Sequence, residues 1–322
     1  TRKSGKKITT AKKEVKEKHC RKVNSSQEHY TQWLKAFPNS YDAVIGRLVV
    51  HDVKNEFAEG LALINSKPML QDQMPIKIMK LQFLAQTNDT RSARNLYNTM
   101  NNTVQALPDV QAIHAMLLIQ ESNPKAAIKP AQIAYNKRAN RRNLLTLIKA
   151  LDGANRPADA LILLDKHVAA KPNDAVANLI LAERSMKSMP QKSINIYTKI
   201  LDQQPHNFVA LNNLAFLLYE QDQFTQAEGY AKQAMAIQPD NAAVVDTLAQ
   251  IYNAQEQFDD ALTLYNRVVS DTMPNEAIFL NYVETLILAD NRLLAKRKLA
   301  SRQWQERNSQ QRIAVIKAKY NI

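Results

Sequence analysis

The residues of this sequence best suited to acid–base or metal chemistry are its six histidines. They are His19, His29, His51, His114, His167 and His206. None has a second histidine three or four residues away, so no pair would share a helix face as a zinc-binding pair does. The sequence also contains no G-x-S-x-G nucleophile motif and no phosphate-binding P-loop. We therefore expect no enzyme activity, no catalytic or metal-binding residue and no cofactor.

The composition favours a helical protein. Only 5 of the 322 residues are glycine, which disfavours β-sandwiches and Gly-rich phosphate-binding folds. The single cysteine, Cys20, excludes an internal disulfide framework. No run of about 18 apolar residues is present, so we expect no transmembrane helix. No apolar segment follows the basic N-terminus, so we expect no signal peptide.

Positive charge is concentrated at the two ends of the chain. Residues 1–23 carry ten Lys and Arg against Glu14 and Glu17, and residues 292–322 carry nine against Glu306. Each end has a net charge of +8, so the remainder of this +13 chain sums to about −3. We interpret residues 1–23 as a basic disordered tail or a remnant of an expression vector, with a nucleic-acid- or membrane-binding arm as the alternative. The basic C-terminal segment is typical of the polar face of a capping helix, and the alternative is contact with RNA or a membrane.

A 34-residue period organises the rest of the sequence. The stretch from Phe208 to Asn241 is followed at once by a second copy from Ala242 to Asp271. Eight positions of the first copy are offset by 34 residues from matching positions of the second. They are Leu211, Leu214, Ala215, Leu218, Phe224, Ala227, Ala231 and Ala234, which align with Val245, Leu248, Ala249, Tyr252, Phe258, Ala261, Tyr265 and Val268.

This period, with small residues at its eighth and twentieth positions and Pro239 near its end, resembles the tetratricopeptide repeat. The resemblance implies helical hairpins that are stable only when they stack on neighbours. It predicts an all-α fold, a right-handed α-solenoid of about seven to eight hairpins. The small residues Ala215, Ala227, Ala249 and Ala261 would lie where the two helices of a hairpin approach each other.

Weaker copies of the pattern extend in both directions, and they give the predicted domains. These are a tail at 1–23, divergent hairpins at 24–140, a regular array at 141–302 and a capping helix at 303–322. An apolar stripe from Ser25 to Phe37 is interpreted as the second helix of an incomplete repeat. Pro130 is expected either to kink its helix or to limit the helix to a start near Lys129. The hairpin containing Pro190 is one residue shorter between its helices.

In tetratricopeptide repeats, the first helix of each hairpin lines a concave groove, so the resemblance implies a binding surface here. Carboxamides at such positions can donate to and accept from a peptide backbone, and aromatic rings can anchor a side chain. The predicted partner-binding residues are Asn212, Asn213, Phe216, Tyr219, Asp246, Thr247, Gln250 and Asn281. The Lys and Arg clamp of modules that grip chaperone C-termini is not present, since Asn212, Phe216, Ala243, Thr247, Ala277 and Asn281 occupy its places.

The phrases NNLAFLLYEQDQFTQAEGYAKQAMAIQPDN and AVVDTLAQIYNAQEQFDDALTLYNRVV are also similar to bacterial cell-envelope proteins of this family. These include lipoproteins associated with exopolysaccharide production and with PEP-CTERM sorting. The resemblance implies a non-catalytic scaffold that binds a protein or peptide. It favours a bacterial periplasm or envelope location, with the cytoplasm as the alternative. A helical-repeat protein that binds nucleic acid through its basic ends is the alternative. The sequence does not indicate the oligomeric state.

The proposed register can be tested by overpacking one hairpin. Ala227→Trp should destabilise the protein by about 1–3 kcal/mol, because a large side chain does not fit between closely packed helices. Thermal unfolding followed by calorimetry measures the effect, and an unchanged melting profile would argue against this register.

Overall fold

The structure is a computed structural model that describes residues 24–273 and 275–321, and the regular elements in these ranges are all helices. The chain divides into two compact units, Thr1–Ala160 and Leu161–Ile322. The predicted all-helical hairpin fold is confirmed in both. The predicted basic tail at residues 1–23 lies outside the described residues.

The first unit contains a helix at residues 24–36 (α1) followed by helical hairpins. The hairpins are α2 (Tyr41–Lys54) with α3 (Phe57–Asn65), α4 (Met74–Gln86) with α5 (Thr90–Asn98), and α7 (Pro108–Gln120) with α8 (Pro124–Lys137). A 3-10 turn (Pro68–Leu70) and the short helix α6 (Asn102–Gln105) lie in the links. Helix α9 (Arg141–Gly153) follows, and the first unit ends at Ala160, within α10 (Pro157–Ala170).

The second unit contains the rest of α10 and four further hairpins. They are α11 (Ala175–Ser185) with α12 (Pro190–Gln203), α13 (Phe208–Tyr219) with α14 (Phe224–Ile237), α15 (Ala242–Ala254) with α16 (Phe258–Val268), and α17 (Glu276–Leu288) with α18 (Arg292–Ala300). A separate final helix, α19 (Arg307–Tyr320), follows. One hydrophobic cluster runs from α11 to α19, so the hairpins of this unit share a core.

Small residues, alanine and glycine, lie at the interfaces between helices. Ala215, Ala227, Ala249 and Ala261 are completely buried, as the repeat register predicts. In the first unit, Gly60 of α3 faces the ring of the buried Phe83, and a Cβ atom at Gly60 would lie 2.3 Å from Phe83 Cε2. Such small residues allow close helix packing because they leave room for the facing helix or for its side chains.

Two recurring hydrogen-bond patterns cap the helix ends. From α9 to α17, each first helix begins after an Asn or Asp whose side chain accepts a backbone N–H of the first turn, namely Asn140, Asp174, Asn207, Asn241 and Asn275. Seven hairpin turns contain a residue with left-handed backbone conformation, namely Asn55, Asn88, Ser122, Asn155, Asp222, Glu256 and Asp290. The N–H that follows each of them donates to a carbonyl five residues earlier, at 2.7–2.9 Å, which is the Schellman arrangement.

The turn between α11 and α12 differs, as its shorter length predicts. It has no left-handed residue, and the N–H of Met189 donates to the carbonyl of Ser185 at 2.7 Å. Two expectations need correction. Helix α8 begins at Pro124, where Asn123 caps it, and it continues through Pro130, so the helix does not start near Lys129. Phe37 does not extend the apolar stripe, because it follows the end of α1 and is exposed.

Two glycines offer a matched test of this packing. Gly60→Ala should destabilise the protein by about 1–3 kcal/mol, because the new methyl group would overlap the Phe83 ring. Gly229→Ala in α14 should stabilise it by about 0.5–1 kcal/mol, because open space surrounds that position and alanine favours a helix. Urea unfolding followed by circular dichroism distinguishes the two variants. Equal effects would contradict the close approach at Gly60.

Candidate partner-binding groove

A cavity of about 260 Å³ lies in the second unit, where the first helices α13, α15 and α17 meet the final helix α19. Its lining residues are Tyr219, Gln250, Asn253, Ala254, Asn281, Glu284, Leu288, Arg312 and Tyr320. Three of these, Tyr219, Gln250 and Asn281, are among the predicted partner-binding residues. We refer to this lining as the groove.

Asp246 lies behind the groove and is held by three hydrogen bonds. Its Oδ1 atom accepts from the Tyr265 hydroxyl at 2.7 Å and from Asn281 Nδ2 at 2.8 Å. Its Oδ2 atom accepts from Gln250 Nε2 at 2.8 Å. A carboxylate can only accept, so the NH₂ groups of Gln250 and Asn281 are turned toward Asp246. Asp246 therefore orients two groove carboxamides.

The burial of this network changes its acid–base behaviour. Burial raises the pKa of the Asp246 carboxyl, although the hydrogen bonds from Asn281, Tyr265 and Gln250 and the nearby Arg312 act in the opposite direction. Burial also raises the pKa of Tyr265, and the adjacent Asp246 carboxylate adds to this effect. Tyr265 consequently remains a hydrogen-bond donor at neutral pH.

The orientation of Asn253 is fixed by its neighbours. The Thr285 hydroxyl donates its one hydrogen to the main-chain carbonyl oxygen of Asn281 at 2.9 Å. Toward Asn253 the hydroxyl can therefore act only as an acceptor. Asn253 Nδ2 makes that contact at 2.7 Å. The other end of the amide, Oδ1, is buried and has no hydrogen-bond partner among residues 24–273 and 275–321. A buried acceptor of this kind is costly unless a donor reaches it.

Helix α19 covers the end of the groove formed by α17. The Glu276 carboxylate accepts the backbone N–H groups of Gln305 and Glu306 at 2.8 and 3.1 Å, which fixes the start of the helix. Arg312 forms an ion pair with Glu284 and donates to the carbonyl of Ala277 at 3.4 Å. Ala277 and Glu284 occupy places that the repeat assigns to the groove face.

Aromatic rings form the opposite end of the groove. The rings of Phe216 and Tyr219 lie 6.4 Å apart, and those of Tyr219 and Phe224 lie 6.1 Å apart. Burial raises the pKa of Tyr219, and the surrounding carboxylates, first among them Glu220, add to this effect. Tyr219 therefore offers a neutral hydroxyl and an apolar face at the cavity.

The remaining predicted polar residues, Asn212, Asn213 and Thr247, do not line the cavity. Asn213 donates to the Tyr197 hydroxyl at 2.9 Å. Thr247 is buried and donates to the carbonyl of Ala243 at 3.0 Å. Asn212 is partly buried, and its Oδ1 atom has no partner within the protein. The structure thus brings together Tyr219, Asp246, Gln250 and Asn281, the last three through hydrogen bonds.

The predicted set did not include Arg312 and Tyr320, because both come from α19, which was interpreted only as a cap. Their positions do not follow the 34-residue period, so the period gives no signal for them. The opposite charges of Glu284 and Arg312 were visible in the sequence, but opposite charges alone do not identify a contact.

Neither a metal centre nor a membrane span is found in the described ranges. Residues 24–273 and 275–321 contain no group of three His, Cys, Asp or Glu residues arranged to hold a metal ion. In the same part of the chain, no helix combines the length and the apolar character that crossing a bilayer requires.

Comparison with known proteins identifies the repeat. Residues 187–251 and 218–278 match the family model described as tetratricopeptide repeat. The crystal structure of PilW, a widely conserved type IV pilus biogenesis factor, has a TM-score of 0.51 and 19% identity, covering 62% of this chain and 92% of that one. PilF of Pseudomonas aeruginosa gives a TM-score of 0.49 and 13% identity, covering 62% and 90%. MamA gives 0.42 and 18%, covering 48% and 91%.

No curated protein sequence gives a significant match to this chain. The family match covers residues 187–278, and the likeness to PilW is a likeness of fold.

The Asp246 network predicts a pH-dependent stability difference. Because the native pKa is raised above its usual value of 3.8, the native state binds more protons than the unfolded state just above pH 3.8. Unfolding free energy contributed by this group therefore falls as pH rises through that window. Asp246→Asn removes this titrating group. The urea midpoint of the variant minus that of wild type should therefore increase from about pH 3.8 up to the native pKa and stay constant above it.

The matched control is Asp202→Asn, which changes an exposed carboxylate on α12. Its midpoint should follow that of wild type over the same window. A constant difference between Asp246→Asn and wild type at every pH would contradict the raised pKa.

Proposed function

We propose that this tetratricopeptide repeat protein is a non-catalytic scaffold whose groove binds an extended segment of a partner protein. One observation carries the proposal. The groove surrounds a cavity of about 260 Å³ that is lined by oriented carboxamides and by the Tyr219 ring.

The chemistry of the lining suits a polypeptide backbone. Gln250, Asn253 and Asn281 present carboxamides, which can pair with main-chain N–H and C=O groups without selecting for charge. Tyr219 and Phe216 offer rigid apolar area for one side chain of the partner. Asp246 supports the binding residues from behind, and Asn212, Asn213 and Thr247 complete the proposed face.

The scaffold role also fits the way a repeat array presents its surface. Stacked hairpins create an extended binding face whose shape comes from packed helices rather than from mobile loops. We propose the divergent hairpins at 24–140 and the regular array at 141–302 as its functional parts, with 303–322 as the cap.

We place the scaffold in a bacterial envelope assembly, with polysaccharide export as the specific case. The support is the sequence resemblance of the two adjacent repeats whose first helices contain NNLA and DTLA. Separation of periplasmic, membrane and cytoplasmic fractions of the native host, followed by immunodetection, tests this location. Recovery only in the cytoplasm would overturn it.

A steric block tests the groove without removing any of its hydrogen bonds. Ala254 is an exposed residue at the cavity, and Ala236 is an exposed residue on the second helix α14. Ala254→Arg should reduce capture of a partner from host lysate by about tenfold or more, a loss of about 1.4 kcal/mol. Ala236→Arg should capture as wild type does.

The captured protein is then purified, and its affinity for the three forms is measured by calorimetry. Equal affinity for all three would place the binding site outside the groove. Loss of binding by both arginine variants would show a charge effect instead of a steric one, and it would also contradict the proposal.

A further inference from the structure

We propose that the cavity between α15, α17 and α19 is a subsite for an arginine side chain of the partner segment, and that Arg312 holds this place in the unbound protein. The inference rests on the proposed function and names the chemistry of its ligand. Three features support it: the acceptors that line the cavity, the charge around it, and the contacts that Arg312 already makes.

The cavity is rich in hydrogen-bond acceptors. Asp246 draws the NH₂ groups of Gln250 and Asn281 toward itself, which leaves their carbonyl oxygens as the acceptors of these amides. The Asn253 amide also belongs to the lining, and its NH₂ group is turned toward the Thr285 hydroxyl. The Glu284 carboxylate adds two more acceptor oxygens. These acceptors favour a ligand with several donors, and the guanidinium group has five N–H donors and no acceptor.

The charge of the site favours a cation. Glu284 lines the cavity and Asp246 lies directly behind it, whereas Arg312 is the only cationic residue among those that line it in the described structure. Lys319, which lies on the same helix as Arg312, also interacts with Glu284 but is not part of the lining. Arginine suits such a place better than lysine, because its planar group can satisfy several acceptors at once.

Arg312 shows how a partner's arginine would bind. Its guanidinium group pairs with the Glu284 carboxylate and donates to the carbonyl of Ala277, so it contacts one side chain and one main-chain acceptor of α17. It belongs to the final helix, which is joined to α18 by the short segment 301–306. A partner's arginine that makes the same two contacts would compete with Arg312 for them.

The test uses a nine-residue acetylated and amidated peptide of Gly, Ala and Asn with one central arginine. A second peptide carries citrulline, which has the same shape but no charge. Arg312→Gln should bind the arginine peptide about tenfold more tightly than wild type, because the internal competitor is removed. The citrulline peptide should show no such gain. Calorimetry or fluorescence anisotropy gives both affinities.

Two further variants separate a charge effect from a loosened helix. Glu284→Gln also breaks the pair with Arg312, but it removes the anion, so it should not gain affinity for the arginine peptide. Arg307→Gln changes an exposed arginine of the same helix and should behave as wild type. Circular dichroism verifies equal helicity. Equal binding of the two peptides by Arg312→Gln, or an equal gain in Glu284→Gln, would overturn the subsite.

Failure of this inference can be told from failure of the proposed function. If Ala254→Arg loses the captured partner while the two peptides bind equally, the groove remains and the arginine subsite is wrong. If the arginine peptide behaves as expected while Ala254→Arg keeps its partner, the subsite is real but the partner binds elsewhere.

Discussion

The close approach of paired helices is the constraint on which the rest of this structure depends. Completely buried alanines and one glycine lie at the interfaces, and no larger side chain would fit there without moving a helix. Once the distance between the helices is fixed, each hairpin presents the same face to the next. The first helices α13, α15 and α17 then stand side by side, which places residues from three repeats around one cavity.

The groove adds a second requirement, which acts against stability. Burying the Asp246 carboxyl is unfavourable for its charged form, as its raised pKa shows. Hydrogen bonds from Gln250, Tyr265 and Asn281 offset part of that cost, and the same bonds fix the orientation of these three side chains. A hydrophobic residue at this position would pack without such a cost, but it would leave Gln250 and Asn281 free to rotate. The network thus exchanges some stability for a defined arrangement of polar groups.

Much of the fold could be predicted because its signals are local and repeated. The 34-residue offset predicts the paired helices, and the burial of Ala215 and Ala227 agrees with that register. Groove residues were harder to assign, because position in the repeat does not reveal which side chains have internal partners. Thr247 bonds to its own helix and Asn213 to Tyr197. The contribution of α19 could not be predicted from the period, since the pair between Glu284 and Arg312 depends on how a non-repeated helix lies on α17.

The Schellman turns have a consequence for how the chain folds. Each closes a hydrogen bond across five residues, and contacts between neighbouring hairpins, such as Asn281 with Asp246 and Gln120 with Ala85, span 35 residues. Low contact order lowers the entropy that must be lost before native contacts form, so folding is fast and starts at many points. Each hairpin can form as soon as its residues leave the ribosome, and it gains stability when the next one docks. Folding can therefore proceed along with synthesis, without waiting for the C-terminus.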